Sequence, residues 1–531
     1  MGEETGRPDC ILMSDRNVAR FFALVRNNDF LDNPPLRPKV AFCRLVAGAT
    51  VACYERLTVC GAPSMLHAYS GWIELWEIAV PFASEILAHH ITSTRFEDLP
   101  ASAIEHAKIF ILDSLGVGIS ASTADGAREL LEASSRWGSG QDALVWGTGR
   151  RVPATTAALI NAFQIHCQEF DCVHEAAVLH PMATLLPAAM AFAERRSGVS
   201  GRDLLTAVAV GVDVSTTLGV ASKSPLTFFR PATSGGFGAA AGVARLAGLS
   251  TEQIVSVFGI QYAQTSGTMQ PHVEGSVVLP MQVGFNARAA LESCDLAAAG
   301  IPGPRDTFEG PFGFLRLCEG EWDLAPGLAK LGREWQISQV SHKPFPSGRA
   351  GNGLIEGLML FGSELPFPKS EIESALVIGP PLINRLCARP DRPAPNGNYA
   401  RLCAAFIGAK VLQHDRIGLE HYRDVELTDS RTHELAKLFS MQVDDNLDPN
   451  ALVPHELIIR SKSGQEWRWR CEAMLASPSR RLSREKHLEK FRTCCGFSAQ
   501  PMNAGAVEKL IVAVDELEAV QDVRELIALM T

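Results

Sequence analysis

The strongest constraint in this chain is a dense group of titratable side chains between two apolar, alanine-rich segments. The stretch 161–181 reads NAFQIHCQEFDCVHEAAVLHP and is preceded by TTAALI and followed by MATLLPAAMAFA. Its acids and bases are His166, Glu169, Asp171, His174, Glu175 and His180. Such a cluster costs free energy in an apolar setting unless its members are paired, solvated or used in chemistry. The stretch is therefore the first candidate for an acid–base site.

The backbone of this stretch is predicted from its proline. Proline disfavours the helical conformation at the preceding residue, His180, whereas Pro181 itself suits a first helical turn. We therefore predict a helix that ends near Phe170, a loop from Asp171 to His180, and a new helix from Pro181. Loops held between rigid helices often carry catalytic groups. The alternative is a polar helix end with surface histidines.

The same side chains raise the question of a metal. His166 and Glu169 are three residues apart, which places them on one face of a helix, and Asp171 and His174 repeat the spacing. Histidine and carboxylates are proper ligands, but the stretch has no HExxH or CxxC spacing. We expect no metal and no other cofactor.

Length and composition indicate a multidomain globular protein. A chain of 531 residues is too long for one hydrophobic core. Apolar residues make up 46%, charged residues 20% and aromatic residues 7%, with 44 glycines. That mixture favours closely packed helices with small residues at their contacts.

Charge and cysteine usage exclude several function classes. The formal net charge is −10, and no basic tail or stripe is present, which argues against nucleic-acid binding. The 13 cysteines form no CxxC pair, which is typical of a reducing compartment. The longest apolar run, LLTAVAVGVDVSTTLGVA, is interrupted by Asp213, and the acidic N-terminus is unlike a secretory signal. We expect a cytoplasmic protein with no membrane partner.

The order of patterns predicts a mainly α protein with an α+β lid. A large all-helical domain would be built from both chain ends, and a smaller α+β domain would follow the helical part. Strand-type runs in the smaller domain are SALVIGP, DVELTD and HELIIRSKSGQEWRWRCEAM. The expected divisions are 73–339 helical, 340–478 α+β lid, and 479–531 C-terminal helices that return to the helical domain.

Residues 1–72 form an N-terminal extension of unclear structure with little periodicity. It is either a loosely packed extension or a segment not normally translated, with Met65 nearer the true start. An intact-mass measurement on the native protein would decide between these hypotheses. Further on, a helix is predicted from near Pro100 to near Gly116, with Asp113 on its solvated face.

Two further motifs contain candidate anion-binding residues. In RPATSGGFGAAAGVARLAGLS, Arg230 leads into a glycine-rich stretch that either cradles an anion or, as we favour, packs tightly against another helix. In SHKPFPSGR, Lys343 and Arg349 flank a stiff turn at the expected domain junction. Two cations in an interdomain cleft suit a di- or tricarboxylate, and the alternative is a basic surface turn.

These motifs resemble the MmgE/PrpD family, which includes 2-methylcitrate dehydratase and cis-aconitate decarboxylase. The match runs from about residue 76 to 500, through NAFQIHCQEFDCVH, RPATSGGFGAAAGVARLAGLS, EGSVVLPMQVGFNARAAL, GPRDTFEGPFGF, KPFPSGR and RLSREKHLEKF. The resemblance implies a helical domain, a smaller lid, a cleft between them and a homodimer. It also implies metal-free lyase chemistry on small polycarboxylates.

Residue by residue, the chain departs from the family pattern in the acidic motif. Where the family usually reads DFDDTH, this chain reads EFDCVH. Glu169 thus stands where aspartate is usual, Asp171 is kept, and Val173 replaces a hydroxyl residue. His180 matches the histidine of the family's following His-Pro.

The other departures remove polar groups. The segment VLPMQVG places Leu279 and Gln282 where lysine and histidine are common, and Arg230 replaces a histidine. Lys343 and Arg349 match the family's KPYPxxR motif. Arg230 would supply the cation that Leu279 does not, so the tricarboxylate substrates of the best-known members are not assured.

The resemblance implies α-proton abstraction beside a carboxylate. We expect His180 to be the principal acid and base, with Asp171 or Glu169 orienting it and Lys343 completing the catalytic set. Arg230, Arg349 and Gln282 are predicted to bind the substrate. A 2-methylcitrate dehydratase-like hydro-lyase is expected first. The alternatives are an epimerase or decarboxylase of a succinate- or aconitate-like acid, or a non-catalytic polycarboxylate-binding homologue.

Overall fold

Helices dominate the computed structural model, which describes residues 81–530, and its strands form two small sheets. The predictions for residues 1–72 lie outside the described residues. The elements of the first half are α1 Ala83–Ser93, α2 Ala101–Ser120, α3 Ala127–Ser134, β1 Ala143–Val145, β2 Arg150–Val152, α4 Ala154–Cys167, α5 Pro181–Arg196, α6 Gly201–Ala221, α7 Arg230–Ala247, α8 Thr251–Gln264, α9 Gln270–Glu274, α10 Val278–Ala298 and α11 Ala325–Leu328.

The second half mixes short helices with the larger sheet. Its elements are α12 Asn352–Glu364, β3 Ile372–Gly379, α13 Pro381–Cys387, α14 Gly397–Ala400, α15 Ala404–His414, α16 Asp424–Leu427, α17 Ser430–Ala436, β4 Phe439–Val443, β5 His455–Ser461, β6 Glu466–Cys471, α18 Arg484–Gly496, α19 Ala504–Asp515 and α20 Arg524–Ala528. The four strands lie in the order β4-β3-β5-β6, with β4 parallel to β3 and the other pairs antiparallel. The predicted hairpin in HELIIRSKSGQEWRWRC is therefore confirmed, with Leu457 opposite Trp469.

Two buried apolar clusters organise the described chain. The first collects side chains from α1 to α10 and also from the C-terminal helices, including Phe491, Leu510 and Leu526. The second surrounds the larger sheet and includes Phe361 and Leu457. The domain limits predicted from the sequence stay predictions, but the apolar side chains divide in this way.

Small residues let the central helices approach closely, as the composition predicts. Helix α7 packs against α5, α6 and α10. A Cβ atom added to Gly238 on α7 would lie 2.5 Å from the backbone oxygen of Gly211 on α6. The glycines after Arg230 therefore lie inside a helix and serve helix packing, and no glycine-rich turn forms there.

Several local predictions differ from the structure. Helix α2 continues to Ser120, because its second half is buried on all sides and needs no polar face. Asp113 is buried beside Lys490 and is not solvated. The run DVELTD forms part of helix α16, since its alternating pattern is too short to separate a strand from a helical turn. The strand in this region is β4.

One described helix, α6, is long and apolar enough to cross a membrane. The segments Ala101–Thr123 and Ala127–Ser134 reach that length and apolar character only when they are taken together as one bent span. In α6, 94% of the most apolar stretch of 18 residues is buried inside the protein. Burial of this kind is typical of a core helix.

The close contact of α6 and α7 predicts a specific sensitivity. Gly238→Ala should lower the free energy of unfolding by about 1–3 kcal/mol, because the methyl group would collide with backbone atoms that cannot yield. Gly496→Ala is the matched control: its added methyl meets nothing within 4 Å, and it should be neutral or slightly stabilising. Equal unfolding midpoints in urea for both variants would contradict this account.

Candidate active site

The titratable loop connects α4 to α5 and pairs with a distant segment of the chain. As predicted, α5 begins at Pro181, while α4 ends at Cys167, slightly before the expected position. Val173 exchanges two backbone hydrogen bonds with Ser341, of 3.0 and 2.8 Å. This bridge lays the segment that carries Lys343 and Arg349 alongside the loop.

Asp171 lies at the centre of the site and is completely buried. Its Oδ2 is 2.9 Å from Nδ1 of His166 and 3.1 Å from Nδ1 of His180. Nδ1 of His180 also lies 3.0 Å from the carbonyl oxygen of Cys172. Because both partners of His180 Nδ1 are acceptors, that nitrogen carries the proton. A neutral His180 therefore presents an unprotonated Nε2.

Lys343 compensates the negative charge of the loop. Its Nζ is fully buried, 2.6 Å from Oε2 of Glu169 and 3.5 Å from Oδ1 of Asp171. Burial alone would raise the pKa of Glu169, but Lys343 and the two histidines lower it to about 2. Burial acts in the same direction on Asp171, and the same cations hold its pKa well below the usual range. Both carboxyl groups are therefore ionised at neutral pH.

The two histidines on Asp171 have pKa values displaced in opposite directions. Burial would lower the pKa of His166, but the carboxylates of Asp171 and Glu169 outweigh burial and raise it. Burial also lowers the pKa of His180, and there Asp171 offsets only part of the effect. Two titratable groups held apart in this way suit the roles of acid and base.

Arg349 lies in the same region but is already occupied. Its Nε and Nη2 donate to Oε1 of Glu175, at 2.9 and 2.6 Å, and its Nη1 donates to the Leu475 carbonyl at 2.9 Å. Ser341 Oγ donates to the same Glu175 oxygen. The guanidinium is thus fixed by the protein itself, with a carboxylate of opposite charge.

A cavity adjoins these groups, and the space of about 610 Å³ between its lining atoms includes open solvent. Its polar lining consists of His166, Glu169, Glu175, His180, His272 and Arg349. The remaining wall is made of apolar side chains and a glycine. The acid–base pair therefore opens into a mostly apolar space.

The structure brings most of the predicted site residues together. His180, Glu169 and Arg349 line the cavity, and Asp171 and Lys343 stand directly behind them, in contact with the lining groups. The arrangement could bind a small molecule against two imidazoles and one guanidinium.

Two predicted substrate-binding residues do not line this cavity. Arg230 is buried and donates through Nε to Oε2 of Glu319 at 2.9 Å and through Nη2 to Oγ of Ser222 at 2.8 Å. Gln282 accepts from the backbone N–H of Thr268 at 2.6 Å and donates to its carbonyl at 3.1 Å. In this structure both side chains hold backbone segments and helix ends, which does not support a role in substrate contact.

The predicted site omitted three polar lining residues, His166, Glu175 and His272. The spacing of His166 and Glu169 on one helix face was a usable signal for the first. Glu175 lies in the titratable stretch, but nothing local showed that it would pair with Arg349. His272 carries no sequence signal, since burial and Arg389 lower its pKa to about 4 only in the folded chain.

Lys490, from helix α18, contacts the titratable loop on the side away from the cavity lining. Its Nζ is 2.7 Å from Oδ1 of Asp113 and donates to the carbonyl of Phe170 at 2.7 Å. Phe170 lies between Glu169 and Asp171, and Glu169 adopts a left-handed backbone conformation with φ of 51°. A strained residue of this kind persists when its neighbours are fixed by other contacts.

Within residues 81–530, two groups of side chains have ligand atoms close enough together to hold a metal ion. Ligand atoms of His166, Asp171 and His180 all lie within 4.8 Å of one another, and a second group comprises Asp113, His342 and His487. In the first group, both imidazoles already hydrogen-bond Asp171 and Lys343 supplies a positive charge. The geometry thus suits an internal hydrogen-bond network, and the expectation of a metal-free site stays a prediction.

The pairing of Arg230 predicts a structural role. Arg230→Met should lower the free energy of unfolding by about 3–5 kcal/mol, because Glu319 would remain buried without its partner. Replacing both residues, as Arg230→Met with Glu319→Leu, should recover most of that loss. Chemical denaturation of the three proteins measures this. A double variant as unstable as the single one would contradict the ion-pair explanation.

Most of the described chain matches two known protein domains. The MmgE/PrpD N-terminal domain matches residues 85–326, and the MmgE/PrpD C-terminal domain matches residues 345–516. The chain is 26% identical over 472 residues to "Cis-aconitate decarboxylase-like protein oryM" of Aspergillus oryzae, which covers 84% of this chain and 96% of that protein. It is 25% identical over 464 residues to "Cis-aconitate decarboxylase" of Homo sapiens, covering 84% and 94%. The Aspergillus terreus "Cis-aconitate decarboxylase" is 24% identical over 466 residues, covering 83% and 95%. The chain therefore belongs to the MmgE/PrpD family.

Proposed function

We propose that this protein is a lyase that forms a carbanion on a small carboxylic acid. Of the two candidate reactions, decarboxylation and dehydration, we favour decarboxylation. The observation that carries the proposal is the histidine pair on Asp171, with opposed pKa shifts, at a mostly apolar cavity. Its similarity to cis-aconitate decarboxylases supports decarboxylation over the dehydration that the sequence motifs favour.

In decarboxylation, a carboxylate of the substrate leaves as CO₂, and the C–C electron pair stays on the substrate as a carbanion. Because its pKa is raised, His166 stays protonated to a higher pH than an ordinary histidine. It donates its Nε2 proton to the carbanion carbon. A carboxylate loses its charge as it becomes CO₂. A wall of apolar side chains therefore disfavours the charged reactant more than the transition state, which favours this step. Lys343 keeps Glu169 and Asp171 compensated throughout.

Dehydration is the second candidate, and the unprotonated Nε2 of His180 favours it. His180 would take the α-proton, the C–O bond would break, and His166 would donate a proton to the leaving hydroxyl group, which departs as water. Dehydration uses both imidazoles, whereas decarboxylation uses His166 as its acid and needs no base.

We expect His166→Ala to lower kcat by about 10²–10⁴ for either reaction, and His180→Ala to do so for dehydration, in which His180 is the base. The double variant should lose no more than the worse single one, because both rings bind the same Asp171 oxygen and act as one unit. His174→Ala is the matched control, a buried histidine of the same loop whose Nε2 contacts Gln336 outside the cavity lining. Proton NMR in D₂O with citrate-, aconitate- and succinate-like acids follows turnover. Near wild-type rates for His166→Ala would contradict the assignment, and near wild-type rates for His180→Ala would contradict dehydration.

The opposed pKa shifts predict the pH dependence of kcat/KM. Decarboxylation needs protonated His166 alone, so its rate should fall as pH rises through the His166 pKa, which lies above the ordinary value of 6.5. Dehydration also needs neutral His180, which adds a second loss as pH falls through a pKa below 6.5. In Asp171→Asn, the loss at high pH should move to lower pH, because the carboxylate that raises the His166 pKa is gone. A high-pH limit unchanged in this variant would overturn the role of Asp171.

A further inference from the structure

The apolar wall of the cavity bears on the kind of acid that fits. Leu226, Phe229, Leu279, Leu382 and Leu452 all line it, and all are buried. Phe229 and Leu279 belong to the helical cluster, and Leu382 and Leu452 belong to the cluster around the larger sheet. Apolar side chains from both clusters therefore face the ligand space, together with the histidine pair.

The fixed charges around this space balance one another. Among the described residues, the carboxylates that line the cavity are Glu169 and Glu175, and the lining guanidinium is Arg349, bound to Glu175. Lys343, behind the wall, is bound to Glu169. A tricarboxylate would bring three negative charges to a site where Arg349 and Lys343 are already paired with protein carboxylates, and buried uncompensated charge is strongly unfavourable.

Two positions where the family resemblance leads one to expect polar groups carry apolar side chains here. Leu279 and Val173 both line the cavity, in place of the common lysine and hydroxyl residue. Arg230 does not replace the missing cation, because it is paired with Glu319 away from the lining. Arg389 stands behind His272, and its Nη2 is used on the His272 carbonyl at 2.9 Å.

We propose that the substrate is a mono- or dicarboxylic acid with an alkyl group of several carbons that contacts Leu279, Leu226 and Phe229. A carboxylate of this acid lies near Arg349 and the histidine pair, and the alkyl group occupies the apolar wall. The proposal rests on the proposed lyase function for its chemistry, but it concerns binding and is tested by binding.

The first experiment is calorimetric titration of the full chain with methyl-, propyl- and pentylsuccinate and with propane-1,2,3-tricarboxylate, which has a third carboxylate and no alkyl group. Affinity should rise about fourfold per added methylene until the chain fills the wall, since each buried methylene contributes a constant increment. The tricarboxylate should bind more weakly than pentylsuccinate. A tricarboxylate that binds more tightly than every alkylsuccinate would overturn the proposal.

The second experiment exchanges the selectivity. Leu279→Lys should weaken pentylsuccinate binding and strengthen tricarboxylate binding by about tenfold or more, through a charge-assisted contact. Leu296→Lys is the matched control, since it adds the same charge on the exposed side of the same helix, α10, and should change neither affinity. If Leu279→Lys fails to fold, the wild-type series still decides the proposal.

Turnover of alkyl-substituted unsaturated acids and of tricarboxylates, measured with the same protein samples, separates this proposal from the lyase function. Alkyl-selective binding with conversion of alkyl-substituted unsaturated acids supports both. Alkyl-selective binding without conversion or deuterium uptake supports the substrate class and contradicts the lyase. Conversion of tricarboxylates alone supports the lyase and contradicts the substrate class. Absence of binding by every acid, with the protein folded, overturns the substrate class.

Discussion

A single buried carboxylate, Asp171, joins the parts on which the site depends. It accepts from two imidazoles at one oxygen and faces Lys343 with the other. An isolated carboxylate at this depth would be neutralised or would destabilise the fold. Here two histidines and a lysine, from three separate places in the sequence, keep it ionised. The same contacts that make its burial tolerable also separate the pKa values of the two histidines.

This arrangement needs support from parts of the chain far from the loop. The Val173–Ser341 bridge delivers Lys343, and Lys490 from a C-terminal helix holds the Phe170 carbonyl. Asp113 in turn binds Lys490. The chain of contacts runs from the surface-facing C-terminal helices through the helical core to the loop. A substitution at Asp113 or Lys490 would therefore change the positions of Glu169 and Asp171.

The apolar wall and the compensated cations act together. Charge-assisted hydrogen bonds hold polycarboxylates well where cations are free to meet them. In this chain the guanidinium of Arg349 and the ammonium of Lys343 both meet protein carboxylates first. The proposed chemistry at a carboxylate rests on the histidine pair, while the proposed choice of acid rests on the apolar wall. Membership of the family and the choice of acid are thus separable questions.

The sequence by itself determined the helical character, the loop before Pro181 and the residues Glu169, Asp171, His180, Lys343 and Arg349 as a candidate site. Those signals are local: a proline sets its own backbone, and a dense titratable run is costly unless paired. Only the tertiary structure decided that Arg230 pairs with Glu319, that Gln282 holds Thr268, and that His166 and His272 line the cavity. These outcomes depend on which side chains meet across hundreds of residues, and neither spacing nor composition encodes that. Asp113 illustrates the limit, because its helical face looked polar and its partner, Lys490, lies near the other end of the chain.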